Sequence, residues 1–138
     1  MARGLIATEE DEQIAFVQWL RLRGFKFFHC PNEMGGQSRS LKVRAVKMKR
    51  MGVSKGVPDL FVFIPVAGIN GRIDAYQMLA IEMKRAQKGS NVSAEQKEWL
   101  KTLNLAGVPS KVCKGAEEAV KFVEAYEREI NGKDEEWV

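Results

Sequence analysis

The chain has 138 residues, 45% of them hydrophobic and 29% charged, with a formal charge of +4. That length suits one domain, residues 1–138, able to bury a core without staples. No apolar run approaches the roughly 20 residues of a membrane span, and "MARGLIATEEDEQ" lacks the apolar stretch and cleavage site of a signal peptide, so an intracellular protein with no membrane contact is expected.

"TEEDEQIAFVQWLRLRG" predicts a first helix with Thr8 as N-cap, acids in its first turn and Gly24 as its stop. Ile14, Val17 and Leu20 or Leu22 line one side, widened by Phe16 and Trp19. "FKFFHC" reads as a short strand, followed by "PNEMGGQSRS", whose residues are turn formers. "LKVRAVKMKRMG" fits a helix capped by Ser40 and closed by Gly52, with Leu41, Ala45 and Met48 at i, i+4 and i+7. "VPDLFVFIPV" and "AYQMLAIEMKR" are two strands joined by "AGINGRID", a loop suited to a hairpin; both are apolar throughout, which predicts a sheet covered on both faces. In "SAEQKEWLKTLNLAG" the spacing of Ser93 and Gln96 is that of a capping box, and Trp99, Leu100, Leu103 and Ala106 form the face of the helix. "PSKVCK" is a strand, "AEEAVKFVEAYEREI" a last helix, and residues 130–138 a polar tail. The order α-β-α-β-β-α-β-α is that of an α/β domain with a mixed sheet wrapped by helices.

The charge is polarised. From Met34 to Pro58 there is no acid, while Arg39, Lys42, Arg44, Lys47, Lys49, Arg50 and Lys55 are all basic. From Glu117 onward eight acids face three bases, so this end carries −5 of the total of +4 and residues 1–116 carry +9. A basic centre of this kind suits a polyanion, because each phosphate contact releases counterions. The alternative reading of this stretch is a merely solvated helix face. Cys30 and Cys113 form no C-x-x-C pair and have only His29 for company, so free thiols are expected and a zinc site is not.

Asp59 opens one apolar strand, and Glu82 and Lys84 close the other. Alternation along a strand points Glu82 and Lys84 to one face and Met83 to the other. Paired as a hairpin, the strands bring Asp59 beside Glu82 and Lys84 at one sheet edge. Two carboxylates held together repel unless a cation sits between them, and a hard divalent ion takes oxygen ligands plus a substrate phosphate. Lys84 alongside can orient or deprotonate a water, or steady the charge that builds on phosphorus. For Glu82 and Lys84 taken alone, a surface ion pair is the commoner reading.

"PD" at Pro58–Asp59 and "EMK" at Glu82–Lys84, with Asp59 and Glu82 separated by 23 residues, resemble the PD-(D/E)XK nuclease superfamily. "HCPNE", "GVPDL", "IEMKR", "SAEQKEWL" and "LAGVPSKVC", in that order between about Glu9 and Ala119, are similar to its VRR-NUC branch. The resemblance implies a restriction-endonuclease-like core with Asp59, Glu82 and the Met83 carbonyl holding Mg2+ or Mn2+, and Lys84 as the catalytic lysine. It also implies a supporting role for Gln96, and an acid on the first helix: Glu9 and Glu12 both fall within about 40° of the Phe16 side, and the block "EQIAF" favours Glu12. The implied activity is structure-selective cleavage of branched DNA, four-way junctions included, by a homodimer that needs no small-molecule cofactor. Lys42, Arg44, Lys47, Lys49, Arg50 and Lys55 would hold the DNA, together with Asn32, which shapes the loop after Pro31. A binding module that keeps the fold without the chemistry is the alternative.

Among the remaining residues, Gln96 can serve as the N3 residue of its capping box and support the site at once. His29 reads as a loop hydrogen-bonder or a DNA neighbour. Trp19 and Trp99 read as core. Val53, Ile69, Tyr76, Met48 and Met51 are the candidates for a dimer interface.

Overall fold

A computed structural model describes residues 6–31, 39–87 and 91–132. Helix α1 (Glu9–Arg23) leads into strand β1 (Lys26–His29), helix α2 (Arg39–Arg50) and strands β2 (Leu60–Ala67) and β3 (Ile73–Lys84). Helix α3 (Ala94–Leu105), strand β4 (Ser110–Lys114) and helix α4 (Ala116–Asn131) complete the chain. Four strands in the order β1-β2-β3-β4 make a mixed sheet: the first three are antiparallel, and β4 runs parallel to β3. Among the described residues no helix is long and apolar enough to cross a membrane.

The helix ends obey local chemistry. The Thr8 side chain accepts from the Asp11 amide while Asp11 Oδ2 accepts from the Thr8 amide, and Gly24 turns left-handed at φ 78° to end α1. Ser93 and Gln96 form the same box at α3. Helix α2 begins at Arg39, so Ser40 lies inside it and is not its cap. The tail starts later than expected, because α4 continues through Asn131; residues 133–138 lie outside the described residues.

One sheet face carries Leu60, Val62, Ile64, Leu79, Ile81, Met83 and Cys113 against Phe16 and Leu20 of α1 and Ala119 and Val123 of α4. Burial of each such side chain contributes about 1.5–3 kcal/mol, against ~1 kcal/mol for a cap; the core therefore decides how the helices sit. On α1 Leu20 is buried and Leu22 is 87% exposed, which settles that pair. Trp19 packs on the core between Phe16 and Phe25. Trp99, by contrast, is half-buried on α3 outside the core. At the outer end of α1, Arg23 donates to both carboxylate oxygens of Glu127 on α4, at 2.8 and 2.9 Å.

The expected cover on both faces holds for only part of the sheet. Strand β3 is exposed from Ile73 to Tyr76 and buried from Leu79 to Lys84. The buried half of β3 is the half that ends in Glu82 and Lys84.

Candidate active site

Asp59 is fixed from two sides. Its carbonyl accepts from the Cys30 amide at 2.7 Å and lies 2.8 Å from His29 Nδ1, which ties it to the end of β1. Its carboxylate Oδ2 accepts from the Met83 amide at 2.7 Å, which ties it to β3. The turn before it depends on Gly56, whose φ is +91°. A Cβ there would stand 2.7 Å from the Glu95 backbone carbonyl carbon and 2.9 Å from the Gln96 amide nitrogen, so only glycine lets this turn lie against the start of α3.

That close approach sets α3 over Glu82. Gln96 Oε1 accepts from the Ser93 amide at 2.9 Å, and Gln96 Nε2 donates to Glu82 Oε2, also at 2.9 Å. The capping box thus orients the amide: with Oε1 engaged at the helix end, Nε2 faces the carboxylate. Gln96 is thus the N3 residue of its capping box and, through the same amide, a hydrogen-bond donor to Glu82. Lys84 Nζ lies 3.7 Å from the same Glu82 oxygen. Glu82 and Lys84 are 2% and 9% exposed. The strand alternation places both on the α3 side, with Met83 in the core.

The electrostatics follow from crowding. Burial, then the charge of Asp59, pushes the Glu82 carboxyl up to about 8, against the pull of Lys84. Burial also raises Asp59, opposed by the Met83 amide bond. Glu82 Oε1 is buried with no hydrogen-bond partner among the described residues.

A cleft of about 470 Å³ opens onto this group, lined by Glu9, Gln13, His29, Asp59, Glu82 and Gln96 among others. Of the first-helix acids, Glu9 and Glu10 line the cleft, and Glu12, the one the resemblance favoured, is not among its lining residues. Burial raises the Glu9 carboxyl, and Lys84, Asp59 and Arg85 act on its charge. Glu12 instead sends Oε1 to the Ala116 amide at 2.8 Å. Helix α4 has Gly115 as its N-cap, with no side-chain cap bond, so the Glu12 carboxylate satisfies an orphan N–H at the positive end of the helix. The two glutamates should separate by experiment. Glu9→Ala is expected to impair cleavage and leave the melting temperature near wild type, while Glu12→Ala loses about 1–2 kcal/mol of stability and keeps cleavage once folded. Thermal melts paired with cleavage assays on both variants check this, and the reverse pattern would return Glu12 to the site.

A family model described as "VRR-NUC domain" matches residues 7–117. The chain belongs to the VRR-NUC family. A solved structure of a "VRR_NUC domain protein" is 25% identical, with a TM-score of 0.67 over 92% of this chain and 93% of that one. No curated protein matches the chain. The mixed four-stranded sheet with its four helices is therefore a VRR-NUC nuclease fold.

Among the described residues, the basic side chains singled out in the sequence of this VRR-NUC domain are not among those lining the cleft. Lys42, Arg44, Lys47, Lys49 and Arg50 are exposed along α2, and Lys55 is exposed in the turn after it. Among the described residues α2 packs broadly on no other element, although Ala45 and Met48 are half-buried. Asn32 lies outside the described residues. Of the interface candidates, Met51, Ile69 and Tyr76 are exposed and Met48 and Val53 half-buried. Sequence reasoning missed Gln13, which lines the cleft with Nε2 3.2 Å from His29 Nδ1. Its signal was its place four residues after Glu9, on the same helix face. His29 makes the loop hydrogen bond expected of it: the Asp59 carbonyl can only accept, so Nδ1 is the donor in that contact.

Proposed function

We propose that the protein is a divalent-metal-dependent DNA endonuclease that hydrolyses phosphodiester bonds in branched DNA as a homodimer. The observation that carries the reading is Glu82 Oε1, a buried oxygen with no hydrogen-bond partner among the described residues, beside a second carboxyl at Asp59. Such an atom costs stability unless something takes its lone pairs. Mg2+ or Mn2+ fits, held by Asp59, Glu82 and the Met83 carbonyl. Such a cation keeps waters and takes further oxygens from a phosphate. When bound, the ion polarises the phosphate and eases deprotonation of water.

The chain's own groups supply the rest. Lys84 presents an ammonium to the attacking water and to the charge growing on phosphorus. Gln96 holds Glu82 Oε2 so that Oε1 faces the cleft. Glu9 adds a carboxylate on the α1 side, and His29 anchors the Asp59 backbone. Helix α2 and Lys55 hold the arms of the duplex.

The test is incubation of a four-way junction and a linear duplex with Mg2+ or Mn2+, beside a chelator control. Cleavage that needs metal and favours the junction supports the reading, and intact DNA with both metals rejects it. Light scattering at micromolar protein tests the homodimer. Neutralising Lys42, Lys47 and Lys49 in pairs should flatten the salt dependence of binding by roughly 0.9 per lost phosphate contact. Unchanged slopes would place α2 toward solvent, away from DNA.

A further inference from the structure

The sheet face that carries Glu82 and Lys84 extends well beyond the cleft. Its other residues, by alternation and register, are Lys26 and Phe28 on β1, Phe61 and Phe63 on β2, and Tyr76 and Met78 on β3. Helix α3 lies against β3 and β4, while α1 and α4 pack on the opposite face. Among the described residues no helix packs broadly on the β1–β2 part of this face. Phe28 is 47% exposed although it stacks on Phe61 at 5.0 Å and leans on Phe63 at 6.2 Å. Tyr76 is 53% exposed. A groove of about 250 Å³ runs between Lys26, Phe63 and Tyr76. No acid forms an ion pair with Lys26 among the described residues.

Exposed rings beside a cation with no ion-pair partner among the described residues match a strand that alternates bases with phosphates. Every base has a π-face, and stacking on aromatic side chains holds single strands with little regard to sequence. A duplex cannot use such a surface, because its bases are already stacked on each other; unpaired bases can. The surface is also continuous with the cleft. Strand spacing and rise place Phe28 about 12 Å from Glu82.

We propose that the open half of the sheet, built on Lys26, Phe28, Phe63 and Tyr76, binds the unpaired bases of a nucleic-acid strand and leads that strand to Asp59 and Glu82. It deepens the nuclease reading and rests on it for what happens at the end of the track. The substrate class is then branched DNA that carries a single-stranded segment next to the cut.

The probe is a labelled 12-nucleotide oligothymidine, compared with an abasic strand of equal length by fluorescence anisotropy in chelator. Wild type should bind the thymine strand on the order of tenfold tighter, the scale of one or two base stacks. Phe28→Ala with Tyr76→Ala should erase that preference while leaving the abasic affinity unchanged, and Phe28→Trp with Tyr76→Phe should preserve it. Both rings are half exposed, so circular dichroism should show the fold intact. Equal affinity of wild type for the two strands overturns the proposal, as does a preference that survives loss of both rings. A double variant whose mass in light scattering falls to the monomer, with the base preference unchanged, marks a contact between copies of the chain and also overturns it. Because the binding assay holds no metal, it is separable from cleavage. Base-dependent binding without any cleavage in Mg2+ or in Mn2+ would sink the nuclease reading and uphold this surface, and cleavage without base dependence would do the reverse.

Discussion

Glu82→Gln is expected to lower the cleavage rate by at least about 10²–10³ and, in the absence of metal, to make the protein more stable than wild type at pH 8. The two effects share one cause. The Glu82 carboxyl is pushed from 4.5 to about 8 by burial first and by Asp59 second. Asp59 is shifted in the same direction. Between those two values the folded protein retains a proton that the unfolded chain has released, so the contribution of Glu82 is fully present below pH 4.5 and is lost as pH rises through 8. A glutamine is neutral throughout and can still accept from Gln96. The wild type should therefore lose melting temperature between pH 5 and pH 8 in chelator, and the variant should lose much less. Mg2+ should restore the wild type at pH 8 and have little effect on the variant. Parallel pH profiles for the two proteins would show that the Glu82 charge is already satisfied.

Lys84→Ala is expected to lower the single-turnover cleavage rate by about 10² or more, the usual cost of one electrostatic contact made to a transition state, with DNA affinity changed only a few-fold. Lys84 is nearly buried, so its ammonium meets a phosphate at the cleft or nothing but Glu82 and its neighbours. Its removal also takes away a cation that holds the Glu82 carboxyl down. The pH at which the residual activity rises should then move upward, a shift that a purely structural lysine would not produce. Lys84→Met, which keeps the stem without the charge, separates packing from electrostatics. A rate within fivefold of wild type in both variants would reduce Lys84 to an ion-pair partner.

Much of this site was legible in the sequence because its determinants are local. Thr8, Gly24, Ser93 and Gln96 set helix ends through bonds to amides three residues away or through a left-handed φ, and these need no partner from elsewhere. Alternation along β3 by itself puts Glu82 and Lys84 on one face, and an aspartate opening the paired strand then has to meet them. The choice between Glu9 and Glu12 was not legible. Both lie near the Phe16 side of α1, and the choice fell to where the start of α4 came to rest, since the unbonded Ala116 amide takes the carboxylate nearest to it. Leu20 and Leu22 were separated in the same way, by which side of α1 met α4 and the sheet. The extent of sheet cover was equally hidden. A run of apolar residues says that a strand can be buried on both faces, but only the lengths and directions of the surrounding helices decide where burial stops. Helix α3 covers the β3–β4 side and leaves Phe28 and Tyr76 exposed. Hydrogen-bond geometry and strand pitch act within a few residues and are written in the chain; which surfaces meet across the fold depends on packing between distant segments, and that exists only once the chain has folded.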